Sequence, residues 1–195
     1  MEKTEKLVYK PGVTLEGIYK AYSPRFGFLI TDDDHEDVYI GEDNHLNAVN
    51  NDKVEVKTIK GETGRHNTEG RITRVIERAN DTFVCTYEML KDGGEAVPID
   101  EKVDMVIEIP EGQEMEATTG ARVIVEVTEW PGKWTDAKGH VTEVIGYEGD
   151  KGLDIDIIIA QHRLPHVFSD ELMKEADALP REVVPENGVA DFRDL

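Results

Sequence analysis

Short β-prone segments follow one another along residues 1–150, and no long helical period separates them. That pattern leaves few folds open. Val13–Tyr19 alternates apolar and polar residues, Phe26–Ile30 is an aromatic and β-branched run, and Asp37–Ile40 is short. Lys53–Lys60 alternates strictly, and Glu69–Ile76 completes a set of five. Gly, Asn and Asp fill the stretches between them, with a helical turn expected around Leu46, Ala48 and Val49. A second set follows: Thr82–Tyr87, Glu95–Ile99, Met105–Pro110, Ala121–Val127 and Gly139–Ile145. Val56 and Ile59 match Val125 and Val127 in order, and Glu69-Gly70-Arg71-Ile72 matches Lys138-Gly139-His140-Val141. A repeat of about seventy residues with five short strands each predicts two tandem closed barrels rather than a sandwich. The expected division is a first barrel at 1–80, a second at 81–150, and a linker at 151–195. In that linker Ser169 reads as a helix N-cap, with Leu172, Ala176 and Leu179 on one face.

Charge divides the chain in the same place. Up to residue 80 there are 12 basic and 15 acidic residues; beyond it there are 10 and 27, giving the total of −20. A polyanion would therefore meet the first barrel rather than the second. Cys85 is the single cysteine, which excludes an intrachain disulfide and a thiolate zinc cluster. No apolar run approaches the ~20 residues of a membrane span, and the charged N-terminus lacks a leader's apolar stretch. A cytoplasmic protein with no membrane partner is expected.

Phe26 and Phe28 stand two apart and so share one face of a strand. Tyr39 joins them if its strand lies alongside. Flat rings on a barrel surface stack unpaired bases, at ~1–3 kcal/mol per base. The same spacing also fits rings that fill a core. Lys20, Arg25, Lys57 and Arg71 stand near enough in sequence to meet phosphates, and Lys53, Lys60, Arg65 and Arg74 share the region. The run Asp32-Asp33-Asp34-His35-Glu36-Asp37 lacks the glycine and spacing of a cation loop, and Asp154/Asp156 reads as capping. No HExxH, GxSxG, phosphate loop or dinucleotide fingerprint occurs, so no catalytic constellation assembles.

Arg25-Phe26-Gly27-Phe28 with Val38-Tyr39-Ile40 resembles the paired RNA-binding signatures of cold-shock domains, which are OB-fold barrels. The wider order of pieces resembles the N-terminal region of the ribonuclease II/R family of 3′-to-5′ exoribonucleases. The pieces include Leu15-Glu16-Gly17, Asn50-Asn51-Asp52-Lys53-Val54, Val97-Pro98-Ile99-Asp100, Gly139–Gly146 and Asp191-Phe192-Arg193-Asp194-Leu195.

The resemblance implies an all-β chain of two five-stranded cold-shock barrels and a short helical linker. It also implies single-stranded RNA as partner, with Phe26, Phe28 and Tyr39 stacking bases and Lys20, Arg25, Lys57 and Arg71 on phosphates. The family's magnesium-holding aspartates follow the Asp191–Asp194 segment, in a catalytic domain expected to be absent here. Magnesium is therefore expected only there, and this chain alone is expected to cleave nothing. The second barrel has no aromatic strand at Gly94-Glu95-Ala96-Val97-Pro98, so it is expected to support the assembly and to contact protein. The two other readings are a free-standing tandem cold-shock RNA chaperone and an acidic protein-interaction module.

Overall fold

A computed structural model describes residues 7–31, 34–59, 68–132 and 134–164. Among these residues ten strands form two closed barrels, followed by one α-helix. The first barrel comprises β1 (Thr14–Ser23), β2 (Phe26–Ile30), β3 (Val38–Gly41), β4 (Lys53–Ile59) and β5 (Glu69–Glu77), in the order β1-β2-β3-β5-β4. The second comprises β6 (Thr82–Leu90), β7 (Gly93–Pro98), β8 (Ile107–Ile109), β9 (Arg122–Glu129) and β10 (Ala137–Gly146), in the order β10-β8-β7-β6-β9. Both barrels close by antiparallel pairs and one parallel contact, β3 with β5 and β8 with β10.

The alternation seen in the sequence is the inside–outside alternation of the barrel wall. Leu29, Val38, Ile40, Val54 and Val56 are fully buried in the first core; Ile107, Ile109, Val123 and Val125 are fully buried in the second. Two glycines per barrel make this packing possible. A Cβ on Gly27 would lie 2.5 Å from the Tyr19 ring, and one on Gly94 would lie 2.4 Å from the Tyr87 ring. Gly70 and Gly139 are hemmed in likewise, by Val56 and Val125. The missing side chain of Gly27 makes room for the Tyr19 ring beneath.

Two expectations change. The loop after β3 forms its helical turn at Glu42–Asn44, earlier than expected, and Leu46 takes a left-handed φ of 57°. Val56 pairs with Ile72 as Val125 pairs with Val141, but Val127 then corresponds to Thr58, not Ile59. Thr58 and Val127 both point inward, whereas Ile59 faces outward. The α-helix α1 spans Leu153–Gln161 and packs on β6 and β10. Asp154 and Asp156 occupy its first turn, where the helix dipole favours carboxylates. The helix expected from Ser169 onward, with Leu172, Ala176 and Leu179, lies outside the described residues, as does Asp191–Leu195.

The barrels are joined through Arg78, just past β5. Its Nη1 donates to Asn47 O at 2.7 Å and to Asp52 Oδ2 at 2.8 Å, and its Nη2 donates to Asn47 Oδ1 at 2.7 Å. Asp52 is fully buried and also accepts from the Val49 and Ala79 amides. The guanidinium lies 3.5 Å from the centre of the Trp130 ring in the second barrel, and Asn47 Nδ2 donates to Pro131 O at 2.9 Å. Burial lowers the Arg78 pKa, while the Asp52 carboxylate opposes that shift.

Candidate nucleic-acid interface

Register decides where the rings point. β2 buries Gly27 and Leu29 and turns Phe26 and Phe28 outward. β3 buries Val38 and Ile40 and turns Tyr39 outward. Phe28 is directly opposite Tyr39 on one side and Lys20 on the other. The three aromatics expected from the sequence therefore share one outer face and are not core residues.

A fourth ring joins them. β1 continues past Tyr19 to Ser23, so the outward series Ile18, Lys20 ends on Tyr22, which is 62% exposed. Tyr22 stacks on Phe26 with ring centres 6.1 Å apart and planes 9° apart. Phe26 in turn stacks on Tyr39 at 6.0 Å and 26°. Phe28 meets Tyr22, Phe26 and Tyr39 edge-on. The signal for Tyr22 was the continued alternation Lys20-Ala21-Tyr22 beyond the expected end of the strand.

The expected cations fall around this cluster. Lys20 flanks Phe28 and donates to Asn51 Oδ1. Arg25 is exposed in the β1–β2 turn, its amide bonded to Ser23 Oγ at 3.2 Å. Lys57 and Arg71 are exposed partners across β4 and β5, and the register Ile40 to Gly70 carries Arg71 level with Gly41, the partner of Phe26. Asn44 Oδ1 steadies Arg71 by accepting from its Nε at 2.8 Å. Arg74, by contrast, is engaged by Glu55 at 3.1 Å. Lys60, Arg65 and the aspartates 32 and 33 lie outside the described residues. Among the described residues no group of three or more His, Cys, Asp or Glu could hold a metal ion.

Beneath the face, burial and the neighbouring Tyr39 push the Tyr19 hydroxyl up to about 12, so it remains a neutral part of the core.

The second barrel repeats the scaffold and replaces the face. Tyr19 and Gly27 correspond by register to Tyr87 and Gly94, and Val38 corresponds to Ile107. At the outward positions, Lys20 becomes Glu88, Phe28 becomes Glu95 and Tyr39 becomes Glu108. Lys57 and Arg71 become Glu126 and His140, whose Oε2 and Nε2 lie 3.8 Å apart. Glu88, Glu95 and Glu108 form an exposed row of carboxylates where the first barrel has a cation and two rings.

Comparison with known proteins follows the same division. A ribonuclease B OB domain model matches residues 17–75, and a cold shock domain model matches residues 96–169. Ribonuclease R of Acidithiobacillus ferrooxidans is 29% identical over 183 residues, covering 93% of this chain and 41% of that protein. This chain matches the N-terminal barrel region of ribonuclease R. The ribonuclease R match extends to solved structures: apo and single-stranded-RNA-bound RNase R of Mycoplasma genitalium superpose with TM-scores of 0.70 and 0.69. Identity there is 17%, with 27% of that chain covered, so this likeness speaks for the fold. The acetazolamide conferring resistance protein zam of Synechocystis is 31% identical over 195 residues, covering 95% of this chain and 25% of that protein. The chain thus spans between a quarter and two-fifths of the length of these relatives.

Proposed function

We propose that this chain is the single-stranded-RNA-binding region of a ribonuclease R-like 3′-to-5′ exoribonuclease. The outer face of its first barrel guides RNA toward the family's catalytic domain. The observation that carries this reading is the cluster of Tyr22, Phe26, Phe28 and Tyr39 on the solvent side of β1–β3, bordered by Lys20, Arg25, Lys57 and Arg71. Rings supply sequence-tolerant stacking and cations track phosphates, a combination suited to single strands. Tight ring-on-ring packing fixes the platform before RNA arrives, which lowers the ordering cost of binding. The match to an RNase R solved with single-stranded RNA supports the same partner. Magnesium-assisted hydrolysis belongs, in this reading, to the catalytic domain, and the barrels handle substrate without cleaving it.

The Glu88, Glu95 and Glu108 row favours a different role for the second barrel. Carboxylates repel the RNA backbone, so this face suits contact with protein. Fluorescence anisotropy of labelled oligo-A RNA at low and moderate salt tests the proposal. Phe26→Ala with Phe28→Ala, at unchanged circular dichroism, should weaken binding by at least tenfold. Equal binding by both proteins would overturn the stacking role. No binding by either at low salt would leave the acidic protein-contact reading in its place.

A further inference from the structure

A groove of about 880 Å³ runs between the two barrels, within the ~300–1,000 Å³ usual for ligand clefts. It begins at Tyr22, the outermost ring of the aromatic face. Asn50 and Asn51 line the first-barrel side, and Asp100, Glu101 and Lys102 line the other.

The chemistry of the two asparagines is fixed by their partners. Asn50 Oδ1 accepts from the Ala21 amide at 3.1 Å, and Asn51 Oδ1 accepts from the Lys20 ammonium. An amide hydrogen and an ammonium can only donate, so in both cases the bonded atom must be the side-chain oxygen. With each oxygen already held by a donor of the first barrel, the –NH₂ groups are the pair's hydrogen-bond donors to a ligand in the groove. The Lys20 charge polarises the Asn51 amide and strengthens its donors. Asn51 also takes a left-handed φ of 75°, where glycine would sit with less strain. A non-glycine residue held in that backbone region at the edge of a binding face is a reason to ask what its side chain does.

We infer that Asn50 and Asn51 hold a backbone phosphate of single-stranded RNA, next to the nucleotide stacked on Tyr22, and so lead the strand from the aromatic face into the inter-barrel groove. The –NH₂ donors of two amides beside an ammonium suit an anionic oxygen. This inference rests on the proposed RNA-binding role of the first barrel.

Two variants test it against a purely structural role. Asn51→Gly removes the amide and relieves the backbone strain. Asn50→Asp keeps an acceptor for the Ala21 amide and removes the donors. Anisotropy with oligo-A and oligo-U RNA should show about a tenfold loss for each variant, equal on the two sequences. The melting midpoint of Asn51→Gly should hold or rise. Unchanged affinity in Asn51→Gly would overturn the inference, as would a loss confined to one base sequence. A Phe28→Ala control separates the two ideas. If it weakens binding while the asparagine variants do not, the groove fails and the stacking face stands. If the asparagine variants weaken binding and Phe28→Ala does not, the stacking face fails and the phosphate contact stands.

Discussion

Replacing Arg78 by alanine should loosen the joint between the barrels more than any other single change of charge at the surface. Arg78 makes three hydrogen bonds and covers Trp130, and the Asp52 carboxylate it meets is fully buried. Removing one partner of a buried pair costs about 3–5 kcal/mol. Two features place this site at the lower end, about 3 kcal/mol. The Arg78 side chain is 20% exposed, and Asp52 keeps the Val49 and Ala79 amides as donors. For a chain of 195 residues, each kcal/mol moves the melting midpoint by about 2–4 °C, so a fall of roughly 6–12 °C follows. Thermal melts by circular dichroism, with tryptophan emission as a second probe, read both the midpoint and the change around Trp130. Arg78→Lys should recover part of the loss, because it keeps a charge for Asp52 but not the planar fork or the ring stacking. Arg74→Ala is the control: its pair with Glu55 is exposed and should not move the midpoint. Equal midpoints for Arg78→Ala and Arg74→Ala would refute the reasoning.

Three other outcomes follow. Gly27→Ala would set a methyl 2.4 Å from Lys20 O and 2.5 Å from the Tyr19 ring, so it should cost about 1–3 kcal/mol in urea unfolding and displace the aromatic strand. Glu88→Lys, Glu95→Phe and Glu108→Tyr together restore the first barrel's pattern on the second, and should tighten RNA binding in anisotropy; unchanged affinity would mean that the carboxylate row is not what keeps RNA off. Burial pushes the Cys85 thiol up to about 12, and burial with Tyr39 does the same for the Tyr19 hydroxyl, so both stay protonated in the folded chain. The unfolded chain releases these protons near pH ~8.5 and ~10, so stability is full below those values and declines as pH rises toward 12, which urea midpoints would show and Cys85→Ala should lessen.

The barrels were legible because a closed wall imposes a two-residue period, which Lys53–Ile59 obeys throughout and β9 obeys from Arg122 to Thr128. The outward placement of Phe26, Phe28 and Tyr39 was only half legible. Spacing put the two phenylalanines on one face, but only the pairing with β1 and β3 determined which face. Tyr22 was hidden by a strand that runs four residues beyond its expected end, through a bulge at Ala21/Ser23. Helix α1 was obscured by its own residues, since Asp154-Ile155-Asp156-Ile157 alternates like a strand. The Arg78 clamp links Asn47, Asp52 and Trp130, positions that no local pattern connects. The equivalence of Lys20, Phe28 and Tyr39 with Glu88, Glu95 and Glu108 required register, because the spacing between matched residues changes slightly from strand to strand.

The most direct test of the central claim is an amide NMR titration of the chain with a short single-stranded RNA. Signals of Lys20, Tyr22, Phe26, Phe28 and Tyr39 should shift together and saturate, while those of Glu88, Glu95 and Glu108 stay in place. Shifts centred on the second barrel's carboxylate row, with β1–β3 of the first barrel unmoved, would contradict it.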